Sequence, residues 1–242
     1  MTGVCDNLPV MTKENLDTLR KLAVETNADW ADRLGIAPAA AITCIKPSGT
    51  VSQLVDSASG LHPRHSRHYV RTVRGDNKDP LTAFLKDQGI YHEPDLRAKE
   101  STTVFYFPIK APDDAVTREE LPAMAALELW KNLQENYCEH KPSCTINVKE
   151  DEWMDVGAWV YRNFDILSGI SFLPHDGGSY DQAPYQEISE DQYEDWVKIT
   201  PTEIDWSKLS EYEQEDNTTG SQEFACTGGV CEVVNIGGVS DG

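Results

Sequence analysis

Stretches with apolar residues at helical spacing alternate with short apolar or β-branched runs along most of the chain. "MTKENLDTLRKLAVETNADWADRLG" reads as a helix opening at Thr12 and stopping at Gly35, with Leu16, Leu19, Ala23, Trp30 and Leu34 on its apolar face. "AAAITCI", bounded by Pro38 and Pro47, suits a buried strand. A short helix is expected at "DPLTAFLKDQG", and a strand at 101–109, "STTVFYFPI", from its β-branched and aromatic content.

"TREELPAMAALELWKNLQENYC" predicts a helix from Thr117, with Thr117 and Glu120 as a capping box and Leu127, Trp130, Leu133 and Tyr137 as its buried stripe. Pro122 then has to sit in the first turns. A strand follows at 144–148, and then a helix over 150–164 packed through Trp153, Val156, Val160 and Phe164. "SGISFLP" reads as one more strand. This alternation predicts an α/β architecture with substantially parallel pairing.

Past Tyr180 the pattern weakens. "QEISEDQYEDWVKITPTEIDW" has room for one short helix, and "SKLSEYEQEDNTTGSQEF" reads as a flexible acidic linker.

Composition narrows the function classes. A chain of 242 residues with six tryptophans can bury one sizeable core or two small ones. No apolar run is long enough to cross a bilayer, and the first residues lack the basic-then-apolar order of a secretory leader. Six irregularly spaced cysteines suit a reduced, cytoplasmic inventory better than a disulfide framework. A net charge of −20 argues against nucleic-acid binding. The charge is uneven, however: Arg64, Arg67, Arg71, Arg74 and Lys78 cluster in 61–78, whereas acidic residues dominate 181–223. The basic cluster is either a solvated face or a set of anion contacts.

Two stretches carry candidate chemistry. In "ITCIKPSGTVSQL", Pro47 restrains a turn, Gly49 permits close backbone approach, and Ser48 and Thr50 offer hydroxyls at a helix start, an arrangement suited to phosphate. It lacks the glycine spacing of a Walker A loop, and an ordinary capped strand-to-helix turn is the plainer alternative. His62, His65 and His68 miss the spacing of a helical zinc pair. In "ACTGGVCEVV", Cys226 and Cys231 flank a glycine-softened loop near the end of the acidic stretch. A disulfide there would close only a small loop, and zinc would need two more ligands. A dithiol on a tether fits thiol–disulfide exchange, and Cys5, Cys44, Cys138 and Cys144 are possible targets by type. Packing in buried strands is the default for Cys44 and Cys144.

Taken in order, "TCIKPSGTVSQL", "SGLHPRHSRHYVRTVRG", "ISFLPHDGGSYDQAPYQEI" and "ACTGGVCEVV" resemble the adenosylcobalamin-dependent ribonucleotide reductases, nearest to the monomeric ribonucleoside-triphosphate branch. The resemblance implies the C-terminal portion of a ten-stranded α/β barrel. Residues 1–179 would be barrel with the phosphate loop, 180–209 a peripheral segment, and 210–242 a flexible tail with the redox pair. It further implies that Pro47, Ser48, Gly49 and Thr50 bind the phosphates of a ribonucleoside triphosphate. Cys226 and Cys231 would carry electrons inward from thioredoxin or a similar dithiol donor, and adenosylcobalamin would be the cofactor.

The finger-loop motif that holds the family's radical cysteine is absent from the chain. A separate or missing N-terminal half is therefore expected, whether through a split gene, truncation or fragmentation. An inactive interaction fragment is the alternative. A free-standing thioredoxin-like protein fits poorly, because the pair is Cys-x-x-x-x-Cys at the tail.

Overall fold

The structure is a computed structural model that describes residues 1–49, 51–175 and 180–213. In chain order the elements are α1 (Lys13–Leu34), α2 (Val51–Leu54), β1 (His68–Asp76), α3 (Pro80–Asp87), β2 (His92–Pro94), β3 (Thr102–Lys110) and α4 (Ala123–Asn136). They continue with β4 (Ser143–Val148), α5 (Trp153–Arg162), β5 (Gly169–Pro174), β6 (Tyr185–Glu187), α6 (Glu190–Ile199) and α7 (Leu209–Tyr212). The chain divides into two compact units, one of Met1–Tyr69 with Lys110–Gly178, the other of Val70–Ile109 with Ser179–Gly242. No described helix is long and apolar enough to cross a membrane.

The first unit is built on α4. Ala126, Leu127, Trp130 and Leu133 lie on one stripe and are buried against Leu16 of α1, Ile146 of β4, and Val156 and Trp159 of α5. Each large side chain so buried contributes about 1.5–3 kcal/mol. α1 begins where Thr12 Oγ1 accepts the Asn15 N–H, and ends at Gly35, whose φ of 67° closes it in the left-handed region. β4 and β5 pair in parallel from Ser143 opposite Gly169 to Val148 opposite Pro174, with α5 as the crossover.

The second unit holds a sheet in the order β2-β3-β1-β6, in which β2 and β3 run antiparallel. Val70, Val104 and Tyr106 form its small core, with the Trp196 ring of α6 stacked 5.8 Å from Tyr106.

Mixed helix and sheet is as expected, but several local expectations are corrected. Residues 39–45 form no strand. Their hydrogen bonds go elsewhere: the Ile42 and Thr43 N–H groups donate to the Glu139 carboxylate, and the Thr43 carbonyl accepts from Glu139 and His140 N–H. A side chain has replaced the neighbouring strand. Thr117 and Glu120 do interact, Glu120 accepting from the Thr117 N–H and hydroxyl at 2.9 Å. They close a turn, and the helix starts later with Pro122 as its N-cap.

α5 buries Val156 and Trp159, while Trp153 and Phe164, expected inside, are exposed. The stretch from Ser207 to Tyr212 is no linker. The Trp206 and Tyr212 rings lie 5.4 and 5.6 Å from Phe84 of α3, and the Tyr212 hydroxyl donates to Asp87.

Candidate phosphate-binding loop

The loop after Ile45 is held by hydroxyls and by one buried cation. Ile45 is fully buried and anchors its start, and Lys46 Nζ donates to Ser143 Oγ at 2.7 Å. Pro47 has no N–H to satisfy. The Ser48 N–H donates to Ser59 Oγ at 2.8 Å, and Ser59 Oγ donates back to the Ser48 carbonyl at 3.0 Å. The Ser48 hydroxyl accepts the Ser52 N–H at 2.9 Å, capping the single turn of α2. Ser52 Oγ donates to the Ser48 carbonyl at 3.1 Å. Ser48 thus acts as a clamp, with its own hydroxyl hydrogen left to donate outward. Among the described residues the Gly49 N–H has no hydrogen-bond partner, and Pro47 to Gly49 are half-buried. Thr50 lies outside the described residues.

The returning limb is fixed by Arg64. Its Nε donates to Asp6 Oδ1 at 2.8 Å, and its other nitrogens reach Asp56 Oδ1 at 3.1 Å and the Asp56 carbonyl at 2.7 Å. Asp6 Oδ2 in turn accepts the Ala58 N–H at 2.6 Å. Gly60 is required where it stands. Its φ is 59°, and a Cβ there would fall 2.7 Å from the Lys46 carbonyl oxygen. Ser59, Gly60, Asp6 and Arg64 therefore shape the loop, and sequence reasoning missed them as a set. The only local signal is the run of small residues "SASG" at 57–60.

Beyond Gly60 the chain borders a small open cleft lined by Leu61, His62, Arg118, Leu121 and, on β4, Thr145 and Asn147. Pro47, Ser48 and Gly49 do not line it. His62 is held neutral. Its Nδ1 donates to the Ser59 carbonyl and its Nε2 accepts the Thr145 N–H, while burial pushes its pKa down. Burial and the neighbouring Arg118 guanidinium push His65 down to about 3. Among the described residues no group of three or more His, Cys, Asp or Glu could hold a metal ion.

The four arginines of the basic cluster have partners within the chain, while Lys78 is exposed. Besides Arg64, Arg67 pairs with Glu120 at 2.9 Å, Arg71 lies over the Tyr185 ring at 4.6 Å, and Arg74 pairs with Asp95 at 2.8 Å. Arg64 and Arg71 are buried in these contacts, and Arg67 remains partly exposed. In "GGSYDQAPY", Gln182 ties its loop to the end of β2. Its side-chain nitrogen donates to the Pro94 carbonyl and its oxygen accepts the Leu96 N–H.

Cys226 and Cys231 lie outside the described residues. Of the other thiols, burial pushes Cys5 and Cys144 up to about 12 and Cys138 up to about 11, so all three stay protonated and unreactive at neutral pH. Cys44 is half-buried, with its Sγ 3.6 Å from the Lys141 carbonyl. It does not share the burial of Cys144.

Comparison with known proteins gives a consistent result, although no family model matches. The chain is 27% identical over 229 residues to the adenosylcobalamin-dependent ribonucleoside-triphosphate reductase of Lactobacillus acidophilus, a match covering 91% of this chain and 30% of that protein. It is 31% identical over 194 residues to the Lactobacillus leichmannii enzyme of the same name, covering 77% and 26%. The crystal structure of a B12-dependent (class II) ribonucleotide reductase superposes with a TM-score of 0.71 at 26% identity, over 87% of this chain and 29% of that one. The chain thus spans less than a third of the length of these relatives. It is a partial region of the adenosylcobalamin-dependent, class II ribonucleotide reductase family.

Proposed function

We propose that the chain is the C-terminal portion of a ribonucleoside-triphosphate reductase, that its Pro47–Thr50 loop receives the substrate's phosphates, and that its tail dithiol returns electrons to the active site. The observation that carries the loop assignment is the pinned Ser48 backbone beside a Gly49 N–H left without a partner among the described residues. A phosphate oxygen can take that N–H and the Ser48 hydroxyl hydrogen without disturbing the clamp.

Reduction at C2′ of a ribonucleotide expels the hydroxyl as water and consumes two electrons. A dithiol supplies both as it closes to a disulfide. Cys226 and Cys231 would then reopen that disulfide by exchange, become oxidised themselves, and be reduced by thioredoxin or a similar dithiol. Cys5, Cys138 and Cys144 are poorly suited to the exchange step, because burial holds their thiols protonated. The radical-bearing cysteine belongs to sequence outside this chain.

Adenosylcobalamin supplies radical initiation in this reading. His62, the histidine on the cleft, has both ring nitrogens engaged and offers no ligand atom to a corrin.

Two variants test the reading. Gly49→Val should weaken binding of a ribonucleoside triphosphate at least tenfold while the chain stays folded, and unchanged affinity in a folded variant rejects the loop assignment. Cys226→Ser or Cys231→Ser should stop turnover driven by a protein dithiol yet permit one internally reduced cycle. Equal loss in both assays rejects the shuttle.

A further inference from the structure

Both limbs of the phosphate loop hang from one edge of β4. On the way in, the Ile45 carbonyl accepts the Ser143 N–H at 3.1 Å. On the way out, Nε2 of His62 accepts the Thr145 N–H at 3.0 Å. Ser143 and Thr145 are alternate residues of the strand, so the two bonds leave it on the same side. The imidazole thus stands where a neighbouring strand would place a carbonyl. β4 is a firm reference, being paired with β5 from Ser143 to Val148 and buried in the core through Cys144, Ile146 and Val148.

The ring carries that reference to the loop. A backbone N–H can only donate, so Nε2 is the accepting nitrogen and the proton of the neutral ring sits on Nδ1. Nδ1 donates to the Ser59 carbonyl at 2.9 Å, and the His62 N–H donates to the same oxygen at 2.9 Å. Ser59 Oγ accepts the Ser48 N–H at 2.8 Å and donates to the Ser48 carbonyl at 3.0 Å. That carbonyl and the Gly49 N–H belong to one planar peptide unit and point in opposite directions. Holding the carbonyl therefore aims the N–H. His62 and Ser59 are both buried, so water does not compete for these bonds. A leucine would fill the space of the ring and make neither of its bonds.

We propose that His62 is a positioning residue of the nucleotide site: through Ser59 and the Ser48 carbonyl, its ring fixes the direction in which the Gly49 N–H meets a phosphate oxygen. The inference rests on the phosphate-loop reading above. The ring lines the neighbouring cleft, which Pro47, Ser48 and Gly49 do not, so it acts through Ser59 and not on the ligand.

The test titrates the 242-residue chain with inorganic triphosphate and with a ribonucleoside triphosphate, below the melting temperature of each variant. His62→Leu removes both ring bonds and should weaken binding of either probe about tenfold or more. His62→Gln keeps an oxygen to accept the Thr145 N–H and a nitrogen to donate, and should recover most of that loss. Ser59→Ala cuts the same path one step later and should lose a similar factor. Adding His62→Leu to Ser59→Ala should then lose little more, because the path is already broken. A merely structural histidine would give losses that multiply and no recovery with glutamine; either result overturns the proposal, as does unchanged affinity in His62→Leu. The wild-type chain offers a check that needs no substitution. By NMR the His62 ring proton should sit on Nδ1 and its signal should shift when triphosphate is added; a proton on Nε2, or an unmoved signal, overturns the proposal. If Gly49→Val abolishes binding while His62→Leu keeps it, the loop reading stands and this inference falls alone. If neither probe binds the wild-type chain, or Gly49→Val binds as well as wild type, the loop reading falls and this inference with it.

Discussion

α4 and α5 are neighbours in the same unit and both carry tryptophan among apolar residues, yet they are used differently. α4 has one apolar stripe, and Leu127, Trp130 and Leu133 are fully buried on it. α5 has two, and Tyr161 and Met154 face outward. The loop scaffold belongs with α4 in this respect, because Arg64, Ser48 and Ser59 each have named partners. A finished core and an unfinished surface thus lie within about 40 residues of each other. The difference is that α4 closes a core with this chain's own residues, whereas α5 leaves one apolar side uncovered among the described residues.

Substitution sharpens the contrast, beginning where the effect is greatest. Trp130→Ala should cost about 3–5 kcal/mol in urea unfolding, and Tyr161→Ala should stay within about 0.5 kcal/mol. Comparable losses at both positions would erase the distinction between the helices. Arg64→Ala leaves Asp6 without its buried cation and should cost about 3 kcal/mol, part of which Asp6→Asn restores in the double variant. Additive losses would show that the pair is not coupled. Gly60→Ala forces a left-handed residue and a contact with the Lys46 carbonyl, for a loss of about 1–3 kcal/mol. It should also weaken nucleotide binding by displacing the loop, and a variant with neither effect would remove Gly60 from the scaffold.

Smaller still is the pH response. His62 and His65 have lowered pKa values in the folded chain, so below about pH 6.5 the unfolded state takes up protons that the folded state refuses. Stability present above that pH is lost as pH falls, by up to about 1.4 kcal/mol per pH unit for the buried His62. His62→Gln should flatten the slope, and an unchanged slope would place the titrating group elsewhere.

Much of the fold was legible because its signals are local. Thr12 and Gly35 bounded α1 correctly, and the stripe of Leu127, Trp130 and Leu133 identified the face of α4 that is buried. The stretch 39–45 was misread because its neighbour is the carboxylate of Glu139, nearly 100 residues away, and no periodicity reports that. Of the stripe expected on α5, Val156 and Val160 do pack on the core. Trp159 takes the place expected for Trp153, and Phe164 lies past the helix end at Arg162, so only packing could choose among neighbouring apolar positions. In the candidate site, Pro47, Ser48 and Gly49 stood out by residue type. Their supports did not, since Asp6 and Arg64 meet across 58 positions and a paired arginine is indistinguishable in sequence from a free one.

The proposed reading is that this chain is part of a ribonucleoside-triphosphate reductase and needs sequence that its relatives carry beyond the matched region. The most direct measurement mixes the chain with the complementary reductase polypeptide, adenosylcobalamin, a ribonucleoside triphosphate and a dithiol, and follows deoxyribonucleotide by chromatography. The account predicts product only when both polypeptides are present. Product from either one alone, or none from a pair shown to associate, would contradict it.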